Sequence, residues 1–493
     1  MQQPDRSGDS AARGVVWTFL SFGSGKAISL ATTVVLARLL VPADFGLVAL
    51  ALLLISLLTV FNDIGLGSVL VYRQEMSERA KGTILSVMVA MSLLLGVLLI
   101  ATAPLVAEVM RSPKLPPVLD GISAVLFLSG PVWFYESLLQ RELAFRSELI
   151  SRLTQTLTFT TVAITTAVYG AGVWSLVAGQ VSSNFVYMLA LFGLSPYRVR
   201  PAFDRHDAVE LLRQARGYVA QGALSFIQQN TDYVAVGRIL GDGALGLYSM
   251  AYRLGDLTYW GIVNPVAKVT FPVFARKHSR GESLVHPYLS ALRLVLLAGC
   301  PVGVLLSASA APFTHVILGP RWLGMIAPLT ALGLWAALRP VETTASWLLN
   351  SIGRPDTVAR IGVALLVPLV PAIVLAAHWK GILGVAWVLT AHMLVSTFAM
   401  LVAVARRIDV SLQAQWRTLR PIALAGASAW LAARGVATAL GDTGMLWLGA
   451  TVLSGLLVYG GLLLLLDREL VRDAVSRVRG ALGRPRTTAV RVP

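Results

Sequence analysis

Charged side chains recur inside long apolar segments of this sequence, and they are its main candidates for chemistry. A charge at membrane depth is costly, so it must face a water-filled cavity, pair with an opposite charge or reach the interface. Cations in such a cavity suit the binding of an anion, and acidic residues beside them suit ion coupling or salt bridges. The basic candidates are Lys26, Arg38, Arg238, Arg253 and Arg339, and the acidic candidates are Asp63, Asp232, Asp256 and Glu342.

Two oppositely charged pairs are spaced three residues apart, Arg253 with Asp256 and Arg339 with Glu342. This spacing places both members of a pair on one face of a helix. Either each pair is an internal salt bridge that makes burial tolerable, or it is switchable, so that an anionic substrate or a proton competes for one member. Pro340 can loosen the helix at Arg339, because proline removes a backbone hydrogen bond.

A polar stripe follows one face of the predicted helix at 217–240, and a shorter stripe follows the helix at 14–40. A stripe that faced lipid would be untenable, so each one either lines water or packs against another helix through hydrogen bonds. We expect both stripes to line a cavity. The first comprises Gln221, Ser225, Gln229 and Asp232, and the second comprises Lys26, Ser29 and Thr33.

No catalytic signature accompanies these polar residues: the sequence has no catalytic triad signature, no zinc motif and no paired-aspartate motif of a glycosyltransferase. The segment ending at Lys26 departs from a P-loop, because Leu20 replaces the first glycine and Ala27 replaces the serine or threonine. Cys300 is the only cysteine, which excludes disulfides and cysteine metal sites. We therefore predict a transporter without cofactor or metal, whose cations, amides and hydroxyls suit a diphosphate joined to sugars.

Membrane helices must position these residues. Of the 493 residues, 56% are hydrophobic and only 13% are charged, whereas soluble proteins carry about 25% charged residues. A spanning helix needs about 20 mostly apolar residues. Fourteen segments qualify, which predicts an all-α membrane protein: 14–40, 46–70, 83–110, 118–140, 147–169, 171–195, 217–240, 245–271, 285–312, 324–351, 357–377, 381–404, 420–440 and 444–466.

The loops on the two sides of these helices differ in charge. The loops after even-numbered helices and both tails are rich in arginine and lysine, whereas the loops after odd-numbered helices hold only Arg111, Lys114, Arg321 and Lys380. The positive-inside rule then places both termini in the cytoplasm, in a multi-pass protein of the inner membrane. This orientation explains the net charge of +16 better than binding to nucleic acid does.

The two halves of the chain resemble each other. At an offset of 200, Arg38 and Gly46 align with Arg238 and Gly246, and further matches follow at offsets of 209 and 212. Equivalent helices cross in the same direction, which predicts two parallel six-helix lobes around a central cavity, suited to alternating access. Arg38 and Arg238 then either act as a pair at the cavity mouth, which we favour, or snorkel to the interface.

The predicted organisation has six parts. The linker should carry an amphipathic helix on the cytoplasmic surface, and the basic tail should lie near anionic headgroups. The parts are a cytoplasmic tail at 1–13, an N-lobe at 14–195, the linker at 196–216, a C-lobe at 217–404, two appended helices at 405–466 and the basic tail at 467–493.

Several short segments carry a resemblance to a known family. They are VLARLLVPADFG at 35–46, DIGLG at 63–67, LLQRELAF at 138–145, GVWSLV at 172–177, VGRILG at 236–241, LYSMAYR at 247–253 and LGPRW at 318–322. Together they resemble the polysaccharide transporter family, which includes the Wzx-type flippases and belongs to the multidrug/oligosaccharidyl-lipid/polysaccharide exporter superfamily. The resemblance covers the first twelve helices well and the last two loosely.

This resemblance implies export of a polyprenyl-diphosphate-linked oligosaccharide towards the outer leaflet, for assembly of O-antigen, capsule or exopolysaccharide. The implied partners are that lipid-linked substrate, membrane lipids, a polysaccharide polymerase and a coupling ion, either H⁺ or Na⁺. Three alternatives stay open: a small-molecule antiporter of the multidrug branch, a lipid II flippase, and a membrane glycosyltransferase or polymerase. The very short outer loops disfavour the last, because such enzymes commonly carry their chemistry in sizeable outer loops.

Overall fold

The computed structural model describes residues 25–63, 66–72, 76–142, 144–441 and 444–468. Within these ranges the chain is helical, and no β-strand occurs. The side chains of Asp63 and Gln221 lie outside the described part of the structure, although both residues fall in helices. The predicted tail at 1–13, the polar face of the linker helix and nearly all of the basic tail also lie outside it.

Helices follow one another through short connections along the whole described chain. Two π-helical turns, Tyr259–Val263 and Thr314–Leu318, and a 3₁₀ turn, Pro320–Met325, interrupt them. The helices are α1 (described from 25 to 39), α2 Pro42–Asp63, α3 Leu66–Tyr72, α4 Glu78–Met110, α5 Leu115–Arg141, α6 Phe145–Val168, α7 Val173–Leu194, α8 Arg205–Thr258, α9 Asn264–Ser279, α10 Val285–Ala308, α11 Ala310–Phe313, α12 Ile326–Ser351, α13 Pro355–Ala405, α14 Leu412–Leu440 and α15 Met445–Leu466.

Each of the fourteen predicted segments overlaps a helix of the structure. The helix α13 contains two predicted segments, and α8 contains one and the first part of the next; the segments join at Gly381 (φ 59°, ψ −146°) and Gly241 (φ 83°, ψ 177°) respectively. Glycine adopts such positive φ values without the steric cost that a side chain would add, so the chain turns sharply there. The predicted all-α membrane class is therefore confirmed.

Nine helices in the described part of the chain are long and apolar enough to cross a membrane. The helices α6 and α8 fall outside this group, because α6 is rich in threonine and α8 carries the polar stripe. Large apolar side chains are also widely exposed: on α15, Leu453, Leu457 and Leu465 are 56%, 66% and 71% exposed. Such exposure is expected where the surrounding solvent is lipid.

The first of two compact units contains the chain up to Leu254, together with Ile317–Pro328 and Leu366–Val388. Its core packs α3, α4 and α5 through side chains such as Leu70, Met88 and Phe134, each almost fully buried. This unit holds Arg38, Arg238 and the polar stripe of α8.

The second unit contains Gly255–Val316, Leu329–Leu365 and the chain from Leu389 onwards. Its core packs α10, α12 and α14 through buried side chains such as Tyr288, Leu348 and Ile422. This unit holds Asp256, Arg339 and Glu342. The division into lobes at 14–195 and 217–404 stays a prediction.

Candidate functional site

An ion pair inside the second unit joins two of the charged residues that the sequence singled out. Arg339 of α12 contacts Asp256, near the end of α8, through one guanidinium nitrogen and carboxylate Oδ1. Both side chains are largely buried, at 19% and 23% exposure. Trp260 donates its indole N–H to the other oxygen, Oδ2, at 2.7 Å. The carboxylate is therefore held from two directions.

Aromatic rings surround the guanidinium of this pair. The carbon Cζ of Arg339 lies 4.3 Å from the ring centroid of Tyr259 and 4.7 Å from that of Trp335. Ring faces stabilise a cation and keep its flat faces out of lipid. Tyr259 opens the π-helical turn that follows α8, and Pro340 directly follows the arginine. Both features loosen the regular helix at the pair.

The two pairs predicted from i,i+3 spacing are replaced by this single pair between two helices. Arg339 pairs with Asp256, which is 83 residues away, and not with Glu342. Glu342 accepts hydrogen bonds from the hydroxyls of Ser346 at 3.1 Å and Thr343 at 3.4 Å. Arg253 is exposed on α8. Helical spacing identified charged residues that share a face, whereas the tertiary packing chose their partners.

Asp232 is a buried carboxylate in the first unit. It is 3% exposed, and Tyr248 donates its hydroxyl to Oδ2 at 2.6 Å. Tyr248 is itself fully buried and makes edge-to-face contact with Tyr233, at 5.8 Å between ring centroids. In the described part of the chain no arginine or lysine lies within ion-pair distance of Asp232. Its predicted role in a salt bridge or in ion coupling remains untested.

The polar stripes are exposed to different extents along their helices. On α8, Ser225 is half-buried and Gln229 is exposed. On α1, Lys26 is exposed, whereas Thr32 is buried and its hydroxyl lies 2.7 Å from that of Thr160 on α6. The hydroxyl of Thr32 is therefore used in a contact between helices, and the predicted lining role of α1 stays a prediction.

Arg38 and Arg238 occupy equivalent places in the sequence repeat but make different contacts. Arg38 donates from Nε to the carbonyl of Ile317 at 2.7 Å, in the π-helical turn before Gly319. Unsatisfied carbonyls at a helix end attract a cation, so this contact stabilises the end of that turn. Arg238 is exposed instead and lines a groove.

This groove, called the basic groove below, has a volume of about 540 Å³ and runs between α8 and the first part of α13. Three basic side chains lie at one end, and mostly apolar side chains of the two helices, together with Asn230 and Thr231, form its walls. Its lining includes Arg111, Arg238, His378, Ile227, Val370 and Val374.

A reciprocal close contact joins the start of α2 to the part of α8 after Gly241. A Cβ built on Gly46 would lie 1.8 Å from the carbonyl oxygen of Asp242, and a Cβ on Gly246 would lie 1.7 Å from that of Pro42. No larger residue fits either position without a shift of the backbone. The sequence comparison aligned these glycines but did not indicate that they pack against each other's segment.

The sequence did not predict several polar contacts between helical segments. Trp322 is fully buried and donates its indole N–H to the carbonyl of Ala37 at 2.8 Å. Arg152 contacts Glu136 of α5 and also Glu148, at 3.1 Å, on its own helix. The spacing of Glu148 and Arg152 was a usable signal, and so was that of Trp335 and Arg339, because residues four apart share a helix face.

Comparison with known proteins decides the family. A family profile described as "Polysaccharide biosynthesis protein" matches residues 35–327, well over half of the chain. The chain belongs to this family. The resemblance to the Wzx-type polysaccharide transporters, noted from the sequence, is thereby confirmed, and this member of the polysaccharide biosynthesis family has curated relatives in several bacteria.

Three of these relatives cover about two thirds or more of this family member. Lipopolysaccharide biosynthesis protein WzxC of Escherichia coli (strain K12) is 24% identical over 374 residues, 76% of each chain. Succinoglycan biosynthesis transport protein ExoT of Rhizobium meliloti (strain 1021) is 27% identical over 321 residues, 65% of each chain. Teichuronic acid biosynthesis protein TuaB of Bacillus subtilis (strain 168) is 26% identical over 337 residues, 66% of this chain and 68% of its own.

Solved structures show that this family member has a transporter fold. The lipid II flippase MurJ, in an inward closed conformation, matches with a TM-score of 0.75 at 15% identity, over 93% of this chain and 99% of that chain. A multidrug resistance MATE family transporter of the MOP superfamily, facing inward, matches with a TM-score of 0.61 at 16% identity, over 78% and 94%. The protein is thus a multi-pass membrane protein with the fold of that superfamily.

Proposed function

We propose that this chain is a flippase that moves a polyprenyl-diphosphate-linked oligosaccharide from the inner to the outer leaflet, for assembly of a cell-surface polysaccharide. Two kinds of similarity support the proposal. The family and the relatives are named for polysaccharide biosynthesis, and ExoT is named as a transport protein. The fold is shared with a lipid II flippase, whose name also specifies a lipid-linked cargo.

The observation that carries the proposal is the ion pair between Arg339 and Asp256 within the membrane helices. A guanidinium binds two oxygens of a phosphate at once, as it binds a carboxylate. A diphosphate can therefore take the place of Asp256 on Arg339, and the pair re-forms when the diphosphate leaves. Arg339 thus keeps an anionic partner in both situations, which avoids the cost of an unpaired charge in the membrane.

Displacement of Asp256 also supports a route for ion coupling. A carboxylate that loses its arginine can bind a proton or a Na⁺ ion instead. A carboxylate that is paired with arginine favours neither. The hydrogen bond from Trp260 holds the carboxylate in place during the exchange. In this proposal the substrate and the coupling ion are linked through one pair of side chains.

The contact between Gly46 and Gly246 belongs to one end state of the transport cycle. Backbone segments in such close contact leave no passage between them, so the segments must separate to release cargo on that side. Alternating access requires two states with different affinity for the cargo. Separation of these two segments, in step with the exchange at Arg339, is the movement that we propose.

We also propose the topology, the partners and the cargo-binding residues that the sequence predicted. Both termini lie in the cytoplasm, and the protein sits in the inner membrane. The repeats form two lobes, and a polysaccharide polymerase acts on the exported units. The chain is a transporter and not an enzyme, and it has no cofactor. The proposed cargo-binding residues also include Lys26, Arg38, Arg238, Arg253, Ser225 and Gln229, with Gln221 from the part of α8 whose side chains are not described.

The decisive experiment follows the lipid-linked oligosaccharide in cells that lack this protein and other flippases of the superfamily. The intermediate should accumulate on the cytoplasmic side and should be cleared by wild type but not by Arg339→Gln. Arg293→Gln is the matched control, because Arg293 is exposed on α10 outside this cluster. If the Arg339→Gln variant clears the intermediate, the ion pair has no role in transport. If the intermediate does not accumulate in the absence of the protein, the flippase proposal is wrong.

Lipid II, an alternative left open by the sequence, stays a second candidate cargo, and the match to MurJ at 15% identity shows the fold alone. The test is rescue of cells depleted of their own lipid II flippase. Rescue would assign lipid II as a cargo, whereas failure to rescue, with the protein present in the membrane, would leave the polysaccharide precursor. The MATE match shows the fold alone, at 16% identity.

A further inference from the structure

The basic groove departs from the charge distribution of the rest of the chain. The loops on the predicted outer side hold few basic residues, yet Arg111 from such a loop and Arg238 from the same end of α8 meet in one groove. His378 is the third basic group at this end. The positive-inside rule accounts for cations on the opposite side and gives no reason for this cluster.

The backbone of Arg111 supports a role for its side chain. The residue ends α4 in a left-handed conformation, with φ 53° and ψ 37°, and its N–H donates to the carbonyls of Ala107 and Glu108. Glycine is the usual residue at this position of a helix end, because other residues adopt the conformation at a cost in free energy. A strained arginine that lines a groove indicates that its guanidinium serves a purpose there.

The cations of the groove have no anionic partner among the residues that the structure describes. Within the described part of the chain, no carboxylate lies within ion-pair distance of Arg111 or Arg238. His378 is oriented by a contact of 2.8 Å between Nδ1 and the carbonyl of Val374, so Nδ1 carries the proton and Nε2 can donate to an anion only in the imidazolium form. The two guanidinium groups at this end favour a small, strongly anionic partner such as a phosphate.

The walls of the groove suit a hydrocarbon chain. On α13, Val370 and Val374 are 36% and 40% exposed and share a helix face with His378, at four-residue spacing. On α8, Ile227 is 47% exposed and lies on the same face as Arg238. The α13 wall is apolar and the α8 wall is mostly apolar, with Asn230 and Thr231 in its lining. Each wall ends in a basic residue, as a lipid presents chains that end in a phosphate.

An exposed tryptophan indicates that the basic end lies at the depth of lipid headgroups. Trp379, next to His378, is 75% exposed, and tryptophan side chains gather at the membrane–water interface. A phosphate at that depth belongs to a membrane lipid, because lipid headgroups fill that layer.

We propose that the basic groove binds an anionic phospholipid, with the headgroup phosphate between Arg111 and Arg238 and an acyl chain along the valines of α13. Phosphatidylglycerol is the probe that tests it, since it carries one phosphate charge and no balancing amine. Arg238 is also among the proposed cargo-binding residues, so the site is tested by phospholipid binding, which can fail or succeed whatever the outcome for transport.

The experiment is native mass spectrometry of the full chain, purified in detergent and titrated with phosphatidylglycerol or with zwitterionic phosphatidylcholine. The double variant Arg111→Gly and Arg238→Gln should weaken phosphatidylglycerol binding by at least about tenfold, because each charge-assisted hydrogen bond is lost. The matched control is Lys114→Gln with Lys380→Gln, which removes the same charge from exposed positions outside the groove. It should change the affinity by less than about twofold.

Three results would overturn the proposal. Equal loss in the two double variants would mean that only surface charge is sensed, and unchanged binding in the groove variant would mean that the lipid sits elsewhere. Displacement of phosphatidylglycerol by equimolar undecaprenyl phosphate would assign the groove to the transported class of lipid. Arg111→Lys with Arg238→Lys should keep most of the affinity, and a melting curve for each variant separates lost binding from lost folding.

Discussion

Gly46 and Gly246 make the same contact in opposite directions. Each lies against the backbone of the other's segment, at Asp242 and Pro42 respectively, where an added Cβ would lie within 1.8 Å of a carbonyl oxygen. The two glycines are 200 residues apart, and so are Pro42 and Asp242. The internal repeat in the sequence is therefore also a reciprocal relationship in space between the starts of two helical segments.

Replacing either glycine with alanine should open this contact. A methyl group cannot fit so close to a carbonyl oxygen, so the two segments must move apart. Ser112 is a reporter, because it is 2% exposed and its hydroxyl donates to Oδ2 of Asp242 at 2.8 Å. In a Cys300→Ala background, Ser112→Cys should react faster with a membrane-impermeant maleimide when Gly46→Ala or Gly246→Ala is added.

Gly243→Ala is the control for this experiment. Gly243 lies between Asp242 and Gly246 in the sequence, and a Cβ on it would meet no atom within 4 Å. Labelling of Ser112→Cys should stay at the wild-type rate in that variant. An equal increase in labelling for all three alanine variants would show that the segment loosens in general and that the reciprocal contact has no special part.

Breaking the ion pair of Arg339 and Asp256 should destabilise the protein and stop transport. Loss of one partner leaves an unpaired charge in a partly buried site, at a cost of about 1–3 kcal/mol. Arg339→Gln and Asp256→Asn should therefore each lower the Tm in detergent. The double variant removes both charges and should regain most of the Tm.

A transport assay distinguishes a cargo-binding role of the Arg339–Asp256 pair from a purely structural role. The double variant should stay inactive although it is folded, because no guanidinium remains for the diphosphate. Arg339→Lys should keep part of the activity, since its charge remains but not its two-pronged geometry. Recovery of transport together with the Tm in the double variant would show that the pair only holds helices together.

Removing the hydroxyl of Tyr248 should leave the carboxylate of Asp232 without its buried donor. Tyr248→Phe is then expected to cost about 1–3 kcal/mol, the penalty of an unsatisfied buried polar group. Denaturation in mixed micelles measures this loss. Adding Asp232→Asn to Tyr248→Phe should recover part of the lost stability, because a neutral amide is easier to bury. A further loss of stability in this double variant would contradict this account.

Arg38 and Arg238 should behave differently despite their equivalent positions in the repeat. Arg38→Ala removes the hydrogen bond to the carbonyl of Ile317 and should cost about 1 kcal/mol of stability. Arg238→Ala removes no such bond within the described chain and should leave the Tm unchanged while it weakens binding of phosphatidylglycerol. Equal melting temperatures for the two variants would show that the contact of Arg38 contributes nothing.

Membrane insertion, the helical class and the approximate position of each helix follow from the sequence alone. These properties depend on local composition, because an apolar stretch of sufficient length must form a helix in lipid to satisfy its own backbone. The repeat was equally legible, since Gly46 and Gly246 align without reference to any structure. Charged residues such as Arg339 and Asp256 were also identifiable, because charge is rare in membrane helices.

The partners of these residues were decided only by the tertiary structure. Arg339 shares a helix face with Glu342 but pairs with Asp256, 83 positions away, and Asp232 meets a tyrosine instead of a cation. Nothing in the sequence placed Arg111 or His378 beside Arg238, although all three line the basic groove. Spacing along a chain determines which side chains share one helix face, whereas the packing of distant helices determines which faces meet.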